Sequence, residues 1–350
     1  MKHSIIKLTQ FSKASGCGCK IDNSILKEII KNTSLQNSTF SNLIVGNSSN
    51  DDAAVIALDE QNFLISTTDF FTPIVDDAFD FGRIAAANSI SDVYAMGGNP
   101  ILAIGILGWP ISKIEPNIAT EILNGAIEVC KIAGIPLAGG HTIESSEPFF
   151  GLAVNGLVNK KNLKTNAGAK PGNLLLLTKP LGLGILSAAI KRGLISEIEY
   201  AEFLHYSTQL NSIGAELAKI EGVTAMTDVT GFGFLGHLLE ITNASGVSVA
   251  IEKSKIPILQ SAQNYCNQFV YPDITTKNYN NYKENVSGLE GLDFISLCDP
   301  QTNGGLLLAI EPNKIEVVVE LMEIFDIDKK CLSVIGEFQL QQENGGIVLV

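Results

Sequence analysis

Residues 80–96, DFGRIAAANSISDVYAM, constrain the fold more than any other stretch, because they set Asn88 and Asp92 into a helical pattern that is otherwise mostly small and apolar. The two polar residues are four apart and therefore share one face. A carboxylate on a surface of Ala, Ile and Val is costly to bury unless it is paired or bound to a metal. Asp92 thereby stands out among the 37 acidic residues. Gly97-Gly98 stops the helix, and Pro100 follows.

Other acids sit at strand ends. Asn50-Asp51-Asp52 leads into a β-type run at 53–58, and a second run at 63–68 ends at Asp69. Adjacent aspartates on the surface need no partner, but at the start of a buried strand they repel, and a bound cation relieves them. A later strand, 223–227, ends at Asp228 and is followed by Gly231-Phe232-Gly233-Phe234-Leu235-Gly236, a literal GxGxxG, with Glu252 near the position of a ribose-binding acid. That is the best case for an NAD-dependent dehydrogenase. Three residues separate the strand from the glycines, however, and an anionic Asp228 would repel a pyrophosphate unless a cation intervened.

The chain has 350 residues, 45% of them hydrophobic, which is ample for two domains with real cores. Its net charge of -13 argues against sequence-independent nucleic-acid binding, so an anionic ligand must be met locally by backbone N–H groups, a lysine or a bridging metal. The opening residues lack the apolar core of a signal peptide, and the run 100–111 is too short to span a bilayer. A cytoplasmic, membrane-free protein is expected. Its six cysteines (17, 19, 130, 266, 298, 331) suit reduced thiols, with Cys130 and Cys298 read as buried small hydrophobes.

Helices are expected at 22–30, 116–133, 183–192, 199–220 and 312–325, and further strands at 101–107, 149–158, 173–178, 247–251, 333–338 and 346–350. The strand 101–107 reads as buried on both faces. Gly139-Gly140-His141-Thr142 reads as a turn, although its glycines also suit a phosphate contact. The Tyr- and Asn-rich stretch 264–285 reads as an exposed loop. Strands and helices mix without strict βαβ alternation, giving α/β with an α+β second half. The boundaries are 1–20 for a flexible N-terminal region, 21–158 for a first domain, 159–172 for a linker and 173–350 for a second domain.

Gly16-Cys17-Gly18-Cys19-Lys20 remains, and it is not a core element. Glycines leave both thiols accessible and Lys20 favours a thiolate. A closed zinc site lacks its further ligands, and a redox dithiol would more usually be Cys-x-x-Cys.

Taken in order, GCGCK, NDDAAV, STTDFF, FGRIAAANSISDVYAMGG, LAGGHT, TDVTGFGFLGH and CDPQTNGGLL resemble the selenophosphate synthetase (selenide, water dikinase) family, within the PurM-like superfamily of aminoimidazole-ribonucleotide synthetase. The resemblance runs from about residue 8 to the C-terminus. It implies a homodimer of two-domain subunits with an ATP-binding, dimer-forming first domain. The implied reaction is ATP-dependent phosphorylation of hydrogen selenide, brought free or by a selenium-delivery protein, with AMP and orthophosphate released. By the same resemblance Cys17 is catalytic, a place held by selenocysteine in some members, and Lys20 is the loop lysine. Asp52, Asp92 and Asp228 are the implied Mg²⁺ ligands. Implied nucleotide contacts are Lys20, Ser49, Asn50, Asp51, Asp69, Asp92, Gly140, His141 and Thr142. Asn303 departs from the family's usual Ser. The alternative is another ATP-dependent kinase or ligase of the superfamily.

Local charge favours Cys19, which adjoins Lys20, as the more acidic thiol, whereas the resemblance selects Cys17. Cys17→Ser is expected to abolish selenophosphate formation with ATP binding intact, and Cys19→Ser to be milder. Anaerobic single-turnover assays check the ranking, and the reverse order overturns it.

Overall fold

In the computed structural model, residues 6–12, 20–21, 23–31, 40–46, 50–342 and 346–350 are described. Cys17, Cys19 and Ser49 lie outside them. The first half runs α1 (Asn23–Lys31), β1 (Leu43–Val45), β2 (Ala54–Ala57), β3 (Asn62–Phe71), α2 (Ala78–Ala95), β4 (Asn99–Trp109), α3 (Pro116–Ile132), β5 (Leu137–Glu144) and β6 (Phe149–Asn159). Among the described residues its strands form one six-stranded sheet in the order β1-β2-β3-β6-β4-β5, antiparallel except for the β4–β5 pair.

Strand periodicity decides which side of this sheet is core. Phe63 and Ile65 of β3 and Phe150, Leu152 and Val154 of β6 alternate onto one face and are buried against α2 and α3. The opposite face carries Phe70, Ile104, Ile143 and Leu157, all exposed. So β4 is not buried on both faces, contrary to its sequence pattern, because no element of the described chain covers the outer one. Gly139 to Thr142 lie within β5, not in a turn, and β5 is the sheet's edge.

Helix α2 is the centre of the packing. Asp77 caps it by accepting from the Asp80 amide, and from Ile84 to Ala95 every residue is buried. Its small residues allow close approach to α3: a Cβ at Gly82 would fall 1.9 Å from the Ile122 carbonyl oxygen, and one at Gly125 2.0 Å from that of Phe79. Either alanine would force the helices apart, a kind of overpacking that typically costs about 1–3 kcal/mol.

The second half contains β7 (Leu174–Leu177), α4 (Leu183–Lys191), α5 (Glu197–Thr208), α6 (Ile213–Leu217), β8 (Val223–Asp228), α7 (Gly233–Ser245), β9 (Val247–Ile251), α8 (Gln260–Cys266), α9 (Asp273–Tyr282), β10 (Val286–Ser287), α10 (Asp293–Leu297), β11 (Leu306–Ile310), α11 (Ile315–Ile324), β12 (Gly336–Leu340) and β13 (Ile347–Leu349). Its seven described strands order as β10-β13-β9-β12-β7-β11-β8. The helix expected at 199–220 is broken at Gln209 into α5 and α6. The stretch 264–285 is mostly helical, because Ile274, Thr275, Asn278 and Tyr282 of α9 turn inward and Asn278 donates to the Gly231 and Cys298 carbonyls. Polar composition there hid a helix with a buried stripe.

The two halves share a core. Leu183, Leu186 and Phe203 of the second half pack into the same apolar cluster as Phe81, Ile84 and Ala85 of α2. Cys130, Cys266, Cys298 and Cys331 are free and buried. No helix among the described residues is long and apolar enough to cross a membrane.

Candidate active site

A cleft of about 230 Å³ opens between the halves, lined among others by Lys20, Asn50, Asp51, Asp52, Thr67, Asp69, Asp92 and Asp228, with Thr230, Phe232, His237 and Glu240 also in its wall. Four segments deliver the aspartates: the approach to β2, the end of β3, the last turns of α2 and the end of β8. A larger groove, about 1000 Å³, runs past residues 76–79 and 115–118, but none of the candidate residues lines it.

Each acid is held by a specific donor. The Thr67 hydroxyl donates to Asp92 at 2.5 Å, the Thr227 hydroxyl to Asp52 at 2.7 Å, and the Ser91 hydroxyl to Asp228 at 2.5 Å across the domain junction. Asn211 donates to Ser91 Oγ and to the Gly304 carbonyl, so the Ser91–Asp228 contact is itself braced from the second half. Asn88 Nδ2 donates to Asp69, whose other oxygen lies 3.5 Å from Lys20 Nζ. Asn166, from the segment joining the halves, donates its amide N–H to Asp51 and its side chain to the Asn50 carbonyl.

These hydrogen bonds do not neutralise the charge. Burial, and then Asp228 and Asp92, push the Asp52 carboxyl well above the ordinary carboxylate range. Burial followed by the charges of Asp228 and Asp69 does the same to Asp92. Asp228 is raised by burial against the opposing pull of Ser91, His237 and Lys20. Like charges brought into a low-dielectric cleft favour either protonation or a cation.

The donor set is all hard oxygen, which fits Mg²⁺. Among the described residues no three His, Cys, Asp or Glu side chains gather into a ready-made metal cage. Mg²⁺ is commonly held by one or two carboxylates with water and substrate phosphate completing the shell, so the carboxylates still fit it in company with a phosphate chain.

Gly140, His141 and Thr142 are not in this cleft. They stand on the exposed edge strand β5, and the structure does not bring them to the aspartates.

The braces Thr67, Ser91 and Thr227 lie inside the quoted motifs without having been assigned a role, and Asn166 and Asn211 lie outside every motif. Thr67 and Thr227 were findable as hydroxyls next to or one removed from strand-end acids, while Asn166 and Asn211 had no local signal. Asn303 acquires a role that its sequence position did not suggest. Its φ of 55° is left-handed, a region Asn tolerates better than most residues. There its N–H donates to Asn88 Oδ1, and its side chain donates to the Ser207 and Gln209 carbonyls. Lys179 is buried below, donating to the Gln209 and Asn303 carbonyls, and burial lowers its amine to about 7.

The GxGxxG segment is not a dinucleotide fold. Strands β8 and β9, which flank α7, are separated in the sheet by β12, β7 and β11, so the parallel βαβ unit that such a fingerprint serves is missing here.

Comparison with known proteins shows the family and the fold. Residues 50–158 match the family model of AIR synthase related protein, N-terminal domain, and residues 170–348 match its C-terminal domain. A protein of Photorhabdus laumondii subsp. laumondii named selenide, water dikinase is 46% identical over 345 residues, covering 99% of this chain and 98% of its own. The chain belongs to the selenide, water dikinase family. A further family member, from Yersinia pseudotuberculosis, is 51% identical over 313 residues, 89% of this chain and 90% of the relative. Outside the family the two-domain fold recurs. The hydrogenase maturation protein HypE in complex with ATP superposes with a TM-score of 0.64 at 17% identity, covering 93% of this chain and 90% of its own. Thiamine-monophosphate kinase from Stenotrophomonas maltophilia gives 0.63 at 19%, covering 88% and 91%. The architecture is therefore the PurM-like α/β pair of domains, as the motifs implied.

The raised carboxyls have a consequence for stability. A group whose folded pKa exceeds its unfolded one stabilises the fold only while protonated, so metal-free stability falls as pH climbs from about 3.8 through the raised folded values. Asp92→Asn removes one such charge while leaving an oxygen for Thr67. Metal-free Asp92→Asn is expected to melt about 2–4 °C above wild type at neutral pH, with the gap closing in acid. Scanning calorimetry with chelator checks this, and a lowered midpoint at pH 7 counts against it.

Proposed function

We propose that the protein makes selenophosphate from hydrogen selenide, ATP and water, releasing AMP and orthophosphate, in the cytoplasm where its thiols stay reduced. The observation that carries this reading is the cleft: buried, mutually repelling carboxylates with Lys20 at the mouth, in a chain of the selenide, water dikinase family. Carboxylates facing a polyphosphate repel it unless a cation stands between the two sets of charges.

In this reading Asp52, Asp92 and Asp228 hold Mg²⁺, which when bound neutralises charge on the phosphate chain. The chain's own residues do the positioning that phosphoryl transfer chiefly requires. Asn88 fixes Asp69, and Asn166 fixes Asn50 and Asp51, so that these polar groups are set before the nucleotide arrives. Lys20, 3.5 Å from Asp69, supplies a mobile positive charge beside the transferring phosphoryl group. Cys17 is assigned to selenium, as a thiolate that carries or delivers it, and Ser49 to the nucleotide.

A homodimer accounts for Gly140, His141 and Thr142. The outer face of the six-stranded sheet presents Phe70, Ile104, Ile143 and Leu157 to solvent, and among the described residues β5 leaves its outer edge unpaired. Pairing this face with a second copy would bury it and let β5 of one subunit approach the nucleotide of the other.

Anaerobic incubation with ATP, Mg²⁺ and selenide, followed by ³¹P NMR, is expected to show a selenium–phosphorus product alongside AMP and orthophosphate. Asp52→Asn and Asp228→Asn should each slow this at limiting Mg²⁺. AMP without a selenium–phosphorus species refutes the reading, and wild-type rates in both variants refute the metal assignment. Sedimentation velocity is expected to give a dimer that Ile143→Lys converts to monomer; a monomeric wild type rejects the paired-sheet arrangement.

A further inference from the structure

Three residues of the cleft wall have no role in the reading above: Thr230, His237 and Glu240. All line the same cavity as Asp52, Asp92 and Asp228. Thr230 Oγ1 lies 3.2 Å from His237 Nε2, and His237 Nδ1 lies 3.1 Å from Glu240 Oε2. His237 is 5% exposed, and its Nδ1 edge faces the Glu240 carboxylate at 3.1 Å without an aligned hydrogen bond, so the contact there is one of charge. The arrangement is hydroxyl, imidazole and carboxylate in sequence, which is recognised by geometry and not by chain order.

The local fold holds the three in place. The Thr230 carbonyl accepts from the Gly233 and Gln301 amides, which fixes the turn between β8 and α7. Gly233 adopts a φ of 71°, and its own Cβ position would meet the Cys298 and Asp299 backbone within 3.0 Å, so only glycine lets α7 begin there. His237 and Glu240 are three apart on α7 and face the cleft together, and the Phe232 ring lies 5.7 Å from the imidazole. A histidine this buried, with a hydroxyl on one nitrogen and a carboxylate beside the other, is set to pull a proton from the hydroxyl side.

We propose that Thr230, His237 and Glu240 form the proton relay for the phosphoryl transfer to water. This deepens the selenophosphate-forming reading and rests on it, because that reaction sends one phosphoryl group to selenium and another to water. In the aqueous step the water oxygen bonds to phosphorus, and the bond from that phosphorus to its bridging oxygen breaks with the electron pair leaving on the nucleotide. The water's proton passes to Thr230 Oγ1 as the Thr230 hydroxyl proton moves to His237 Nε2. Glu240 is a positioning residue: its charge beside Nδ1 favours the tautomer with the proton on that nitrogen, which leaves Nε2 free to accept, and steadies the imidazolium until the proton reaches solvent. The second glycine-rich motif, which resembled a dinucleotide fingerprint, thus opens the helix that carries the relay.

The test measures ATP affinity, kcat and product partition in Thr230→Val, Thr230→Ser, His237→Gln and Glu240→Gln, anaerobically with ATP, Mg²⁺ and selenide. Loss of a general base costs about 10²–10⁴-fold. His237→Gln and Thr230→Val should therefore lose orthophosphate formation on that scale, in kcat and not in the KM for ATP. Glu240→Gln should lose less, and Thr230→Ser, which restores the hydroxyl, should recover most of what valine removes. Orthophosphate formation within threefold of wild type in Thr230→Val or His237→Gln overturns the relay. So does a loss that falls on ATP affinity, or equal losses in Thr230→Ser and Thr230→Val, either of which marks a packing role. A wild-type enzyme that forms no selenium–phosphorus species overturns the parent reading instead, and is distinguished by failing before any variant is compared.

Discussion

The repulsion among Asp52, Asp92 and Asp228 is the constraint on which the rest of the structure depends. Three carboxylates from three different segments converge at a junction where Asp92 and Asp228 are buried and Asp52 is half-buried, and each is pushed toward its neutral form. A site of this kind is stable only if the surroundings impose it. Thr67, Thr227 and Ser91 impose it by donating one hydroxyl to each acid, and Asn211 fastens the last of these to the second half.

That fastening explains why α2 is built from small residues. The helix must lie against α3 at glycine distance on one side and carry Asn88, Ser91 and Asp92 to the junction on the other. With Leu or Phe in place of its alanines, the sheet, α3 and the second half could not all reach it. The apolar cluster around α2 includes residues from both halves, so the cleft walls are parts of a shared core and not two surfaces that happen to meet.

The same acids settle the meaning of a misleading motif. Gly231 to Gly236 matches a dinucleotide fingerprint by letter, yet β8 ends in a carboxylate and its sheet neighbour is the antiparallel β11. The glycines serve a different need: Gly233 takes a left-handed turn so that α7 can start beside the loop at Cys298 and Asp299. Likewise Asn303 occupies a left-handed position and braces Asn88, which in turn holds Asp69. Polar composition around 264–285 misled for a related reason, since α9 buries Asn278 by giving its side chain two carbonyl acceptors.

Much of this was legible in the chain alone. Periodicity located α2, α3, β3, β6 and β9 closely, because their apolar spacing repeats over many residues, and the order of motifs pointed to the family before any coordinate was used. The acids Asp52, Asp69, Asp92 and Asp228 could be singled out because charge at a strand end or on an apolar helix is costly wherever it is buried. What tertiary structure alone decided was partnership. Asn166 and Asn211 lie 115 and 120 residues from Asp51 and Ser91, the groups they brace, and no local pattern encodes such a pairing. The placement of Gly140 to Thr142 on an open sheet edge, away from the aspartates, was equally hidden, because strand order depends on which edges pair across the whole sheet and not on the residues of β5.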